Sequence, residues 1–153
     1  DVLCVVLLVN ADKEFVKQVI AEVKPDLLQF HGDESADFCQ QFDFPYIRAL
    51  RMRDDLNIAA EAKAHKPAHS LLFDAWHPGQ YGGTGESFDW ARLPRERSFN
   101  LILAGGLTPD NVAESVAVVA PDMVDVSGGV ESAPGIKDPQ KVRDFIQRAK
   151  AAG

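Results

Sequence analysis

The chain opens on a near-continuous apolar run, Val2–Val9, and breaks at the polar Asn10. An unbroken run of this length suits a parallel strand buried on both faces. The period then changes. Phe15, Val16, Val19, Ile20 and Val23 recur at helical spacing; Asp12 can start that helix and Pro25 ends it. The alternation continues to the C-terminus. Short apolar stretches predict strands at Leu27–Phe30, Tyr46–Leu50, Ser70–Asp74, Asn100–Ala104 and Met123–Val126. Helices are predicted over Ala36–Phe42, Asp54–Lys63 and Asn111–Ala120, the last with Thr108 as N-cap and Pro109 at its first position. A short helix is expected to open at Phe88-Asp-Trp90, and Asp138-Pro139 caps a final one carrying Val142, Phe145 and Ile146.

The pattern is a strand–helix unit repeated about six times, with no linker and no low-complexity tract, so residues 1–153 read as one domain. Strands at this spacing with intervening helices imply a parallel sheet in an α/β fold. An open doubly wound sheet and a closed (β/α)8 TIM barrel both fit. Two points favour the barrel. The candidate polar residues follow strand C-terminal ends, where barrel active sites lie. The last two strands are each followed by a Gly-Gly turn, where these barrels hold phosphate. A full barrel takes eight units and about 200 to 250 residues. The expectation is therefore that the chain covers about units 3 to 8 and lacks the N-terminal quarter.

Composition narrows the function. A formal net charge of −7 argues against a nucleic-acid surface, which needs a positive patch. Val2–Val9 is too short to span a bilayer and reads as no signal peptide. Two cysteines, Cys4 and Cys39, make no disulfide framework, and a reduced cytoplasmic setting is expected. His31, His65, His69 and His77 show no metal-ligand spacing with the cysteines or with each other, so no metal site is expected.

Several residues can carry chemistry. Asp74 ends an apolar strand and precedes the glycine-rich loop Trp76–Glu86. Partial desolvation there can raise its pKa and make it a general acid; the bland reading is an N-cap or a salt bridge. Within the loop, Gly82 and Gly83 permit closure over a substrate, or simple flexibility. Gly105-Gly106 and Ser127-Gly128-Gly129 offer backbone N–H groups that can cradle a phosphate; tight turn geometry is the alternative, and two such turns in consecutive units favour phosphate. Asp125, between Val124 and Val126, needs a partner or a ligand. His31 sits at a strand end on the rim where barrel active sites lie, which sets a functional role beside the usual structural or solvent-facing one of a lone histidine. Arg48 lies within a strand and points into the barrel or its mouth. Cys4 reads as inert packing in a buried strand, and Cys39 as helix packing.

In order and spacing, these segments together resemble the phosphoribosylanthranilate isomerase family. The matching pieces are Leu28-Gln-Phe-His-Gly-Asp-Glu34, Leu72-Phe-Asp74 before Tyr81-Gly-Gly-Thr-Gly85, Phe88-Asp-Trp90, Leu103-Ala-Gly-Gly-Leu-Thr-Pro-Asp-Asn-Val112, Val124-Asp-Val-Ser-Gly-Gly-Val-Glu131 and Pro134-Gly-Ile-Lys-Asp138. The resemblance implies a metal-free, cofactor-free Amadori rearrangement of a small phosphorylated substrate in tryptophan biosynthesis, by a monomer or homodimer. It implies Asp74 as the general acid that protonates the furanose ring oxygen. His31, Asp125 and the glycine turns would surround the substrate, with Gly105, Gly106, Ser127, Gly128 and Gly129 on the phosphate.

One departure matters. The family's general base is a cysteine in a Lys-(Ile/Phe)-Cys-Gly segment, and neither that segment nor the arginine that meets the anthranilate carboxylate is present. Cys4 is followed by Val5, not glycine. The 153 residues alone are therefore expected to be inactive. Two other readings stand beside this one: a non-catalytic phosphate-binding barrel fragment, and another phosphate-binding barrel enzyme such as indole-glycerol-phosphate synthase or ribulose-phosphate epimerase. The lysine–glutamate pair of the synthase and the metal ligands of the epimerase are not evident.

Overall fold

A computed structural model describes residues 2–79 and 85–153. Six parallel strands pair strictly in chain order: β1 (Val5–Leu8), β2 (Leu27–Phe30), β3 (Tyr46–Arg51), β4 (Ser70–Asp74), β5 (Leu101–Leu103) and β6 (Met123–Val124). That order separates the two topologies left open by the sequence. A doubly wound sheet reverses its strand order at a switch point, whereas a barrel-type sheet winds one way. The connections carry α1 (Lys13–Val23), α2 (Ala36–Gln40), α3 (Ile58–Ala64) and α4 (Val112–Val119). After β6 come a small antiparallel hairpin, β7 (Glu131–Ala133) with β8 (Ile136–Lys137), and the closing helix α5 (Pro139–Ala152).

Alternation along the strands sorts side chains onto two faces. Leu27, Ile47, Ala49, Leu72, Ile102 and Ala104 form one buried cluster on the inner face. Their neighbours turn outward to the helices. Leu28, Phe30 and Tyr46 pack with Val16, Val19 and Cys39, while Leu71, Phe73, Leu101 and Leu103 pack with Val112, Val116, Val119 and Phe145. The sheet curls, because Leu7 of β1 and the segment after β6 line one cavity.

Helix starts follow local chemistry. The Asp12 carboxylate accepts from the Phe15 amide at 2.8 Å, and Asp138 accepts from Gln140 at 2.8 Å with Pro139 at the first helical position. Lys24 ends α1 in the left-handed conformation just before Pro25.

Several expectations are corrected. β1 is shorter than Val2–Val9 and is not buried on both faces: Val2 is 97% and Leu7 53% exposed, because β1 is an edge strand paired only with β2. Cys4 is accordingly exposed, just before β1, and not in a buried strand. Thr108 caps the turn that leads into α4, its hydroxyl accepting from the Asp110 amide at 3.2 Å, but the regular helix starts only at Val112. The Thr108 N–H donates to the Asn111 side chain at 2.8 Å. The segment opened by Phe88-Asp-Trp90 makes only a 3₁₀ turn, Trp90–Arg92. α3 starts at Ile58, not near Asp54, because the Asn57 side chain accepts from the Ala60 amide.

Candidate active site

The strand C-terminal ends surround a cavity of about 280 Å³. Gln29, His31, Asp74 and Asp125 line it, together with the turns Gly105–Thr108 and Val126–Gly129. Gln29 and His31 share the inner face of β2 by the two-residue period, and Asp74 is the last inner-facing residue of β4. His31 and Asp74 are 7% and 6% exposed. His31 Nε2 lies 3.1 Å from Asp74 Oδ2, and Asp74 Oδ1 accepts from the Ala75 amide at 2.8 Å. Asp74 is thus held at both oxygens, and its partner is a histidine from a strand two places away.

Asp125 follows β6, where its amide donates to the Leu103 carbonyl at 2.8 Å. Its side chain stays accessible, yet the surrounding protein strips away much of its water. That desolvation and the nearby Asp74 carboxylate push its pKa above the ordinary aspartate value, against the opposing pull of His31 and Lys137. A carboxyl so placed can hold a proton closer to neutral pH than an isolated aspartate.

The two turns are built by contact as well as by conformation. Gly105 and Gly106 have φ of 85° and 65°. A Cβ on Gly105 would stand 2.6 Å from the Ala75 nitrogen and 2.7 Å from Asp74 Oδ1, and one on Gly129 would collide with the Leu107 carbonyl. Among the described residues, no group accepts a hydrogen bond from the amides of Gly105, Gly106, Ser127, Gly128 or Gly129. Among the described residues these amides are unengaged donors in residues that line the cavity. Lys137 Nζ braces the second turn, donating to the Ser127 carbonyl at 2.9 Å and to Glu131 Oε1 at 2.7 Å.

The structure therefore brings together Asp74, His31, Asp125, Gly105, Gly106, Ser127, Gly128 and Gly129. It does not bring Arg48 with them. Arg48 alternates with the inner-facing Ile47 and Ala49, so its side chain points outward to the helix layer and not into the mouth. There Nη1 donates to Glu34 Oε1 at 2.8 Å and to the Phe30 carbonyl at 3.2 Å, and Nη2 to the Gly32 carbonyl at 3.0 Å. Gly82 and Gly83 lie outside the described residues. Neither thiol is at the cavity: Cys4 precedes the first strand, and Cys39 is buried on α2, with its pKa pushed up to about 12 by burial. Two site residues escaped the sequence reading. Gln29 was signalled by a polar residue at an inner position two before His31, and Lys137 by its place after the second glycine turn.

Parallel strands wound one way, with strand-end carboxyls and glycine turns around one cavity, define a (β/α)-barrel-type enzyme with its site at the C-terminal strand ends. Residues 2–148 match the family described as N-(5'phosphoribosyl)anthranilate (PRA) isomerase, and the chain belongs to that family. A relative, N-(5'-phosphoribosyl)anthranilate isomerase of Cellvibrio japonicus, is 51% identical over 146 residues, covering 95% of this chain and 68% of its own. The fold superposes on phosphoribosyl anthranilate isomerase from Thermotoga maritima with a TM-score of 0.83 at 36% identity, covering 98% of this chain and 74% of the other. It also resembles a phosphoribosyl anthranilate isomerase in complex with reduced 1-(o-carboxyphenylamino)-1-deoxyribulose 5-phosphate. That TM-score is 0.79 at 31% identity, over 98% of this chain and 72% of the other. Among the described residues, no helix is long and apolar enough to cross a membrane.

Proposed function

We propose that this chain carries the phosphate site and the general acid for the Amadori rearrangement of N-(5-phosphoribosyl)anthranilate to 1-(2-carboxyphenylamino)-1-deoxyribulose 5-phosphate. One observation carries the reading: the buried Asp74–His31 pair shares a cavity of about 280 Å³ with two turns of unused amide donors. The amides of Gly105, Gly106, Ser127, Gly128 and Gly129 hold the phosphate without a metal. Asp74 then delivers a proton to the furanose ring oxygen as its bond to the first sugar carbon breaks, and the anthranilate nitrogen lone pair forms the protonated imine (iminium), leaving Asp74 as a carboxylate. His31 Nε2 and the Ala75 amide steady the charge left on Asp74. Asp125, on the same rim just after β6, meets the substrate beside Asp74.

Titration calorimetry with the reduced product analogue tests this. Saturable one-to-one binding, weakened by competing inorganic phosphate, is expected. No binding at millimolar analogue would overturn it.

The reading numbers β1–β6 as the third to eighth strands of the family's barrel, and places the protein in the cytoplasm as a monomer or homodimer. It also makes the 153 residues alone inactive, since loss of the proton at the second sugar carbon has no thiol base at the cavity. Decay of anthranilate-type fluorescence checks this, and turnover above the uncatalysed rate would refute it.

A further inference from the structure

Gln29 and His31 leave β2 on the same face, and both are buried. Gln29 Nε2 lies 3.0 Å from His31 Nδ1. An amide nitrogen has hydrogens to give and no lone pair to offer, so Nδ1 is the acceptor in this contact. A neutral imidazole that accepts at Nδ1 carries its proton on Nε2. That nitrogen faces Asp74 Oδ2 at 3.1 Å.

We propose that Gln29 is a positioning residue: its amide N–H holds His31 neutral in the Nε2–H form, so that His31 donates to Asp74. The proposal deepens the assignment of Asp74 as general acid and rests on it for its purpose, though not for its test. The consequence is electrostatic. As Asp74 gives up its proton, one oxygen meets a preset imidazole N–H and the other the Ala75 amide, 2.8 Å away. Neither donor has to reorganise. Once Asp74 has given up its proton, the opposite tautomer would set the Nε2 lone pair against a carboxylate oxygen and leave both unsatisfied.

Long-range proton–nitrogen correlation spectra of the ¹⁵N-histidine-labelled chain at neutral pH read the tautomer directly, without any turnover. His31→Gln assigns the signal against the other three histidines. In the parent chain, His31 Nδ1 is expected at the unprotonated position and Nε2 at the protonated one. Gln29→Glu keeps the size of the side chain but offers only acceptors, so His31 Nδ1 shifts to the protonated position while the other histidines stay put. An Nδ1–H or doubly protonated His31 in the parent would overturn the proposal, as would an unchanged His31 in Gln29→Glu. If that variant does not fold, the parent spectrum decides alone. Failure of analogue binding with the expected tautomer present counts against the isomerase reading and not against this one.

Discussion

His31 Nε2 and Asp74 Oδ2 stand 3.1 Å apart across 43 positions of sequence, on strands that are not neighbours. β2 and β4 flank β3, so the flat distance between them is about 9.5 Å, two strand spacings. The side chains meet because both point to the inner face of a curled sheet. The contact ties the end of β2 to the end of β4 at the point where chemistry is proposed.

That contact depends on Gly105. Its φ of 85° is strained for any side chain, and an added Cβ would press on Asp74 Oδ1 at 2.7 Å. Gly105→Ala is expected to cost about 1–3 kcal/mol of stability in urea unfolding. It should also weaken analogue binding by displacing the Asp74 carboxylate. Unchanged stability and affinity would mean that the turn does not constrain Asp74.

Gly128 and Gly129 separate architecture from binding. A Cβ on Gly128 meets nothing within 4 Å, whereas one on Gly129 collides with the Leu107 carbonyl. Gly128→Ala should leave the urea midpoint unchanged, and Gly129→Ala should lower it. If the amides around Gly128 hold phosphate, Gly128→Ala still weakens competition by inorganic phosphate, since the methyl group intrudes where the anion approaches. Equal phosphate affinity in Gly128→Ala and the parent would remove that turn from the phosphate site.

Much of this site was legible in the chain. Leu27–Phe30 and Ser70–Asp74 are strands at the residues the apolar pattern predicts, because strands buried on both faces stand out as short, mostly apolar stretches between polar turns. His31, Asp74 and the glycine turns could be found because they follow such strands. Arg48 was misplaced because its facing depends on register. A residue inside a strand has two faces to choose from, and only the inner-facing Ile47 and Ala49 on either side decide it. Val2–Val9 was misjudged for the converse reason: apolar composition states that a strand can be buried, not that a partner covers it. The β7–β8 hairpin, of three and two residues, is too short to show a period.

Arg48 has a structural role that can be measured. It and Glu34 have side chains only 9% and 3% exposed. Glu34 also accepts from the Asn10 amide at 2.9 Å and the Gly32 amide at 2.8 Å. The pair thus ties down the turn that follows His31. Arg48→Met strands a buried carboxylate and should cost about 3–5 kcal/mol. Adding Glu34→Leu should not restore stability, because the Asn10 and Gly32 amides and the Phe30 and Gly32 carbonyls then lose their partners. Recovery in the double variant, read by urea unfolding, would show the pair to be isolated from that turn.

His65 makes stability depend on pH. Its ring is 4% exposed, and Nδ1 lies 3.0 Å from the Tyr46 hydroxyl. Burial, and then the Arg48 charge, lower its pKa from 6.5 to about 4. Between those values the unfolded chain binds a proton that the folded chain does not, so stability falls as pH drops from about 6.5 to about 4. At about 1.4 kcal/mol per unit, the full loss is about 3 kcal/mol, with nothing further from this group at lower pH. Glu61 Oε2, 3.7 Å from Nε2, does not hold the proton on, since the folded ring is neutral over that window. Asp122, Glu131 and Asp138, whose pKa values are lowered, add their own acid sensitivity below the ordinary carboxylate range. The comparison that isolates His65 is therefore urea unfolding of the parent and His65→Gln at pH 7 and near pH 5. The parent should lose stability over that interval and the variant should stay nearly flat. Parallel losses in both would assign the acid sensitivity elsewhere.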